Sequence, residues 1–326
     1  MATAAQIKAL LESYKNGDDG RFKSVAMQIA AHEANKGNTS FSKELNDLIS
    51  KFSERTNNKI SAVNTISILE PRGELAGLFE AKYTHIKLSN LILPENLEVK
   101  LKRIVEEQNQ QQKLKEYGLA PRSKILLVGA PGTGKTMTAS ALAGQLKLPL
   151  FTIQLDAIIT KYMGEASMKL RLIFDHIKRI RGVYFFDEFD AIGSSRGAGN
   201  DVGEIRRILN SFLQFMENSR SDSLILAATN LPELLDTALF RRFDDILKYN
   251  VPNETLREAT FKKYICHNCI SKSIDWSEIV KAADGLSYAE ISKISESALK
   301  ANILDGITIN TELLLSLIRE KQTCLE

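Results

Sequence analysis

The 326 residues are 44% hydrophobic and 25% charged with a formal net charge of +3, a composition ordinary for a globular chain of two or three compact units. So slight a positive balance, with the basic residues of 100–124 interleaved by Glu106, Glu107 and Glu116, argues against nucleic acid or an anionic membrane as partner. No apolar run approaches the roughly 18 residues of a membrane span, and the first residues lack the basic-then-apolar order of a signal peptide, so a cytoplasmic protein without a membrane span is expected.

Residues 1–56 carry three amphipathic stripes: Ile7, Leu10, Leu11 and Tyr14; Phe22, Val25, Ala26 and Ile29; then Phe41, Leu45, Leu48, Ile49 and Phe52. Glycine and short polar residues separate them, which predicts a small N-terminal helical bundle acting as an adaptor. A linker is expected over 57–82, where periodicity weakens. From 83 to 251 apolar runs alternate with helical patterns. This predicts an α/β unit on a parallel five-stranded sheet, with strands near 124–128, 149–155, 183–186, 223–228 and 246–251. Over 252–326 the strands stop and a helical lid is expected, with helices near 254–267, 275–283, 288–304 and 311–320. Ser287-Tyr288-Ala289-Glu290 fits a capping box, and Asn310 can cap the last helix.

The chemistry centres on Gly129-Ala130-Pro131-Gly132-Thr133-Gly134-Lys135-Thr136, between an apolar strand and a helix-forming stretch that opens at Met137. Glycines at 129, 132 and 134 let backbone N–H groups turn inward around phosphate oxygens, and the next helix points its N-terminus at them. Lys135 reaches the β- and γ-phosphates and Thr136 offers a hydroxyl to Mg²⁺, so Gly129, Pro131, Gly132, Thr133, Gly134, Lys135, Thr136 and Met137 form the expected nucleoside-triphosphate-binding segment of a P-loop NTPase.

The strand Val183-Tyr184-Phe185-Phe186 ends in Asp187-Glu188, which brings two carboxylates to the sheet edge where the phosphate loop opens. Asp187 is the candidate Mg²⁺ holder with Thr136, and Glu188 the candidate base that polarises an attacking water. A further strand ends at Thr229-Asn230, where the Asn230 amide can orient that water. Arg241 and Arg242 follow a short helix, and two guanidinium groups suit the charge of a transferring phosphoryl group.

Three cysteines, Cys266, Cys269 and Cys324, fit a reducing compartment. Cys266-His267-Asn268-Cys269 has metal-like spacing but no second ligand pair, so it reads as an incidental pair at a helix end.

Over roughly Leu88 to Leu304 the order and spacing of the four motifs resemble the AAA branch of the AAA+ ATPases. The compact Ala238-Leu239-Phe240-Arg241-Arg242-Phe243 string is more similar to the meiotic clade of katanin and spastin than to membrane-anchored AAA proteases. The resemblance implies a homo-hexameric ring in which Arg241 and Arg242 reach the neighbouring subunit's γ-phosphate. It also implies that Tyr162-Met163-Gly164 lines a central pore and grips a protein substrate, with Arg196 to Asn200 as a second pore loop. Gly285 to Ile291 resembles the family's lid element, except that Tyr288 stands where glycine is common. A ring-forming unfoldase or remodelling chaperone is the implied function. The sequence has no His-Glu-x-x-His helix and no Gly-x-Ser-x-Gly elbow, so degradation needs a separate protease, by analogy a subtilisin-like one. A nucleotide-dependent switch or scaffold that assembles on a partner without threading is the alternative.

Overall fold

The computed structural model describes Ala26 and residues 75–158, 165–192, 201–219, 221–234, 237–265 and 274–323. The chain divides into two compact units, Met1–Leu69 and Glu70–Glu326. Apart from Ala26, the bundle expected over 1–56 lies outside the described residues, as do Cys266 and Cys269.

Six strands build the sheet of the second unit: β1 Phe79–Lys82, β2 Lys124–Gly129, β3 Leu150–Ile153, β4 Val183–Phe186, β5 Leu224–Thr229 and β6 Asp245–Tyr249. Their spatial order is β1-β3-β4-β5-β2-β6. The five strands expected from sequence are all present and mutually parallel. The sixth, β1, lies inside the segment expected as linker and pairs antiparallel with β3, Phe79 opposite Ile153. With only four residues it offers too short an alternation to stand out: Phe79 is buried, while Glu80 and Lys82 face solvent.

Parallel strands need crossovers, and helices supply them. After α1 (Glu95–Asn109) and α2 (Gln111–Glu116), α3 (Lys135–Leu146) follows β2; α4 (Leu155–Ile158) and α5 (Glu165–Arg179) join β3 to β4; α6 (Asp201–Asn218) joins β4 to β5; and α7 (Thr237–Phe240) precedes β6. Because β5 sits between β4 and β2, the exit ends of these three strands stand side by side.

Side-chain alternation on β4 shows how both faces are covered. Val183 and Phe185 pack in a cluster with Leu101 and Ile104 of α1 and Leu142 of α3. On the other face Phe186 meets Phe212 of α6 edge-on at 5.2 Å, and Tyr184 stacks on Phe151 at 4.6 Å. Truncating a wholly buried leucine such as Leu226 to alanine would cost about 2–5 kcal/mol.

The lid helices α8 (Glu254–Tyr264), α9 (Trp276–Ala282), α10 (Tyr288–Asp305) and α11 (Thr311–Thr323) enclose their own core, which includes Phe261, Ile279, Leu286, Ile294 and Leu314. The expected capping box opens α10: the Ser287 N–H donates to Glu290 Oε2 at 2.8 Å, and the Glu290 N–H to Ser287 Oγ at 3.4 Å. Asn310 caps α11 by accepting from the Leu313 N–H at 2.9 Å.

Candidate nucleotide site

The loop that leaves β2 is shaped by its glycines. A Cβ on Gly129 would lie 2.2 Å from the Tyr249 carbonyl oxygen of β6, so only glycine lets these two strands pair there. Gly134 has φ +102°, a left-handed turn that starts α3 directly at Lys135. Thr133 Oγ1 donates to the Ala130 carbonyl at 2.7 Å and closes the loop on itself.

Lys135 is buried at the centre of this loop. Its Nζ donates to the carbonyls of Gly129 at 2.6 Å and Ala130 at 2.9 Å, and to Asn230 Oδ1 at 2.7 Å. Burial lowers the ammonium pKa, an effect opposed by the carboxylates of Asp187 and Asp190. Thr136 Oγ1 donates to Asp187 Oδ2 at 2.9 Å, so a hydroxyl and a carboxylate meet at the start of α3. Among the described residues no cluster of three or more His, Cys, Asp or Glu could hold a metal by itself.

Glu188 follows Asp187 with φ +50°, one of two non-glycine residues with positive φ among those described. A left-handed backbone at a glutamate is unfavourable, and such strain concentrates at functional positions. The turn is held by the Glu188 N–H, which donates to Asp187 Oδ1 at 3.0 Å. Asp190, not singled out from sequence, accepts from the Asn230 N–H at 3.2 Å and so ties the end of β5 to the acid-bearing segment.

A cleft of about 540 Å³ opens over these groups, with Lys135, Thr136, Asp187, Glu188 and Asn230 on the sheet side and α10 on the other. The lid touches the loop directly: the Ala289 N–H donates to the Gly132 carbonyl at 3.1 Å. Gly132 has φ +74°, and a Cβ there would lie 2.6 Å from Ser287 Oγ. Ser292, Lys293 and Glu296 of α10 also line the cleft. These three polar residues recur at helical spacing on one face of α10, a pattern the sequence itself carries.

Beside the cleft lies a smaller pocket between Leu91, Ile92, Met137, Thr260, Tyr264 and Tyr288. Lys263 of α8 donates its ammonium to the Asn90 carbonyl and bridges lid and sheet subdomain at this pocket. Burial lowers the pKa of that ammonium.

The structure does not bring every expected site residue to the cleft. Arg241 and Arg242 are exposed and precede β6, whose first residue, Asp245, pairs with Ile125 at the entry end of β2. The phosphate loop leaves the opposite end of β2, and the six residues between the two edges span about 20 Å. Arg242 forms an ion pair with Glu217 at the end of α6. Tyr162, Met163 and Gly164 lie outside the described residues, as do Arg196 to Asn200.

Comparison with known proteins meets this geometry. The sequence profile of the ATPase family associated with various cellular activities (AAA) matches residues 125–251, from the second residue of β2 to just past β6. The AAA family ATPase y4kL of Sinorhizobium fredii is 34% identical over 307 residues, 94% of this chain and 91% of that protein. The chain belongs to the AAA family of ATPases. Among its other relatives, the ATP-dependent zinc metalloprotease FtsH of Caldicellulosiruptor bescii is 36% identical over 220 residues, which is 65% of this AAA ATPase but only 36% of FtsH. FtsH of Marinobacter nauticus is likewise 36% identical, over 58% of this chain and 31% of its own. The AAA ATPase thus spans about a third of those metalloproteases. In fold it is similar to the crystal structure of the FIGL-1 AAA domain, with a TM-score of 0.61 and 24% identity over 78% of this chain and 88% of that one.

Proposed function

We propose that this AAA ATPase hydrolyses ATP in a Mg²⁺-dependent reaction, assembles as a homo-hexameric ring in the cytoplasm, and uses the cycle to unfold, thread or remodel protein substrates. The observation that carries this reading is the division of the site between two edges of one sheet. Lys135, Thr136, Asp187, Glu188 and Asn230 converge on the exit edge, whereas Arg241 and Arg242 stand on the entry edge about 20 Å away. Those arginines serve a triphosphate only in a second copy of the chain. A head-to-tail contact of that kind generates a closed ring or a filament.

Within one cleft the roles follow from chemistry. The loop N–H groups and Lys135 bind the β- and γ-phosphates. Thr136 and Asp187 supply hard oxygen donors 2.9 Å apart, a set suited to Mg²⁺, which when bound neutralises charge on the transferring phosphoryl group. Glu188 accepts a proton from the attacking water, and the Asn230 amide orients that water. Because Ala289 bonds Gly132, a change in the loop is transmitted to α10 and the lid. That movement would carry Tyr162 and the pore loop along a bound polypeptide. A separate protease chain, rather than this one, would supply any proteolysis.

Light scattering of Glu188→Gln with and without Mg-ATP tests the assembly. A mass of about six protomers with Mg-ATP supports the ring. A monomer under both conditions contradicts it. Tyr162→Ala tests threading: loss of remodelling with turnover kept supports a pore, whereas indifference supports a nucleotide-dependent switch or scaffold.

A further inference from the structure

Arg257 of α8 is 5% exposed, a buried cation away from the cleft. Its Nη1 group carries two hydrogens and gives them to two separate parts of the chain, the Pro252 carbonyl at 3.1 Å and Asp284 Oδ1 at 2.6 Å. Pro252 belongs to residues 250–253, which connect β6 to α8 and so root the lid in the sheet. Asp284 belongs to the turn between α9 and α10, whose Ala283 and Leu286 are buried in the lid core. Five residues after Asp284 stands Ala289, whose N–H bonds the Gly132 carbonyl of the phosphate loop. One guanidinium thus ties the root of the lid to the segment that delivers α10 to that loop. Stability does not explain the arrangement. Burying the cation costs desolvation, its Nε has no partner among the described residues, and the Asp284 side chain is 79% exposed, so water screens their attraction. An apolar side chain of similar volume would avoid that cost.

We propose that Arg257 is a positioning residue: through Asp284 it holds the turn before α10 in register with the root of the lid, and so sets where Ala289 meets the phosphate loop. A rotation of the lid at 250–253 then carries the start of α10 with it instead of being absorbed in the turn, where Gly285 has φ +79° and a Cβ would meet nothing within 4 Å. The consequence for catalysis rests on the nucleotide reading above, because an α10 that drifts from Gly132 leaves the cleft poorly closed.

Because Asp284 is exposed, replacing it breaks the tie without emptying the core. Amide exchange of the full chain without nucleotide is the test. In Asp284→Ala, exchange at Ala289 should speed up about tenfold, the low end of what a hydrogen bond to a charged group is worth, while lid-core amides such as Ile294 stay near wild type. Asp284→Asn, which keeps an acceptor oxygen, should fall between the two. An unchanged rate at Ala289 would overturn the proposal. So would equal acceleration at Ala289 and Ile294, the mark of a merely structural pair that steadies the whole lid. In turnover, Asp284→Ala should raise KM for ATP by a similar factor and keep kcat; faster exchange with an unchanged KM would remove the positioning role. A wild type that hydrolyses no ATP would overturn the nucleotide reading, while exchange at Ala289 would still decide for or against the tie.

Discussion

The Lys135 ammonium donates to Asn230 Oδ1 across 2.7 Å, which links the phosphate loop after β2 to the end of β5. The same asparagine is anchored through its N–H to Asp190 at 3.2 Å. Lysine, asparagine and aspartate thus form a chain across three strand ends, and the orientation of the Lys135 ammonium depends on a residue of the neighbouring strand.

Asn230→Ala removes one of three acceptors from Lys135 and, on the proposed mechanism, the amide that orients water. We expect ATP affinity to stay within a few-fold and turnover to fall by about 10²–10³, the usual loss for one preorganised polar group. Equilibrium binding and steady-state kcat measured together check this; a loss confined to affinity would contradict it.

Glu188 holds φ +50°, and glycine would adopt that backbone without strain. Glu188→Gly should therefore raise stability by about 1 kcal/mol while abolishing turnover. Glu188→Gln should abolish turnover without the stability gain. Thermal unfolding of the two variants side by side separates strain from chemistry.

Gly132 and Gly134 both have positive φ, but a Cβ on Gly132 would lie 2.6 Å from Ser287 Oγ, whereas one on Gly134 meets nothing within 4 Å. Alanine strains the backbone at either position; only Gly132→Ala also pushes the lid away. Amide exchange at Ala289, whose N–H bonds the Gly132 carbonyl, should speed up in Gly132→Ala and stay near wild type in Gly134→Ala.

Arg122 joins α1 to β6: it donates to Glu107 Oε1 at 2.8 Å and to Asp245 Oδ2 at 2.8 Å. The hydrogen bond from Arg122 holds the Glu107 carboxyl below its ordinary pKa of 4.5, although partial burial opposes this. A carboxyl depressed in the folded state contributes stability above its unfolded pKa and loses it as pH falls through the folded one. Glu107→Gln should cost about 1 kcal/mol at pH 7, and the difference from wild type should shrink as pH falls below the ordinary 4.5 and vanish only below the depressed folded pKa. Denaturant midpoints across that range check it.

Much of the α/β unit and its lid was legible because the signals are local. The apolar runs that became β2 to β6, the glycine spacing of the loop and the Ser287–Glu290 box each depend on neighbours in sequence. What escaped depends on distant partners. β1 is recognisable only by pairing with β3, and Asp190 only by the Asn230 N–H across the strand ends. Lys293 belongs to the cleft only because α10 packs on Gly132. The two arginines were legible as a motif, and it is the parallel pairing of β6 with β2 that puts them at the entry edge.

The central claim, that one subunit's arginines complete another's cleft, is tested most directly by mixing two inactive proteins. Lys135→Ala lacks a working cleft but keeps its arginines; a subunit carrying Arg241→Ala with Arg242→Ala keeps its cleft but offers none. Each alone should be inactive, and their mixture should regain ATP hydrolysis where the first protein's arginines face the second protein's cleft. A mixture as inactive as its components, although the two co-assemble, would contradict a site shared between subunits.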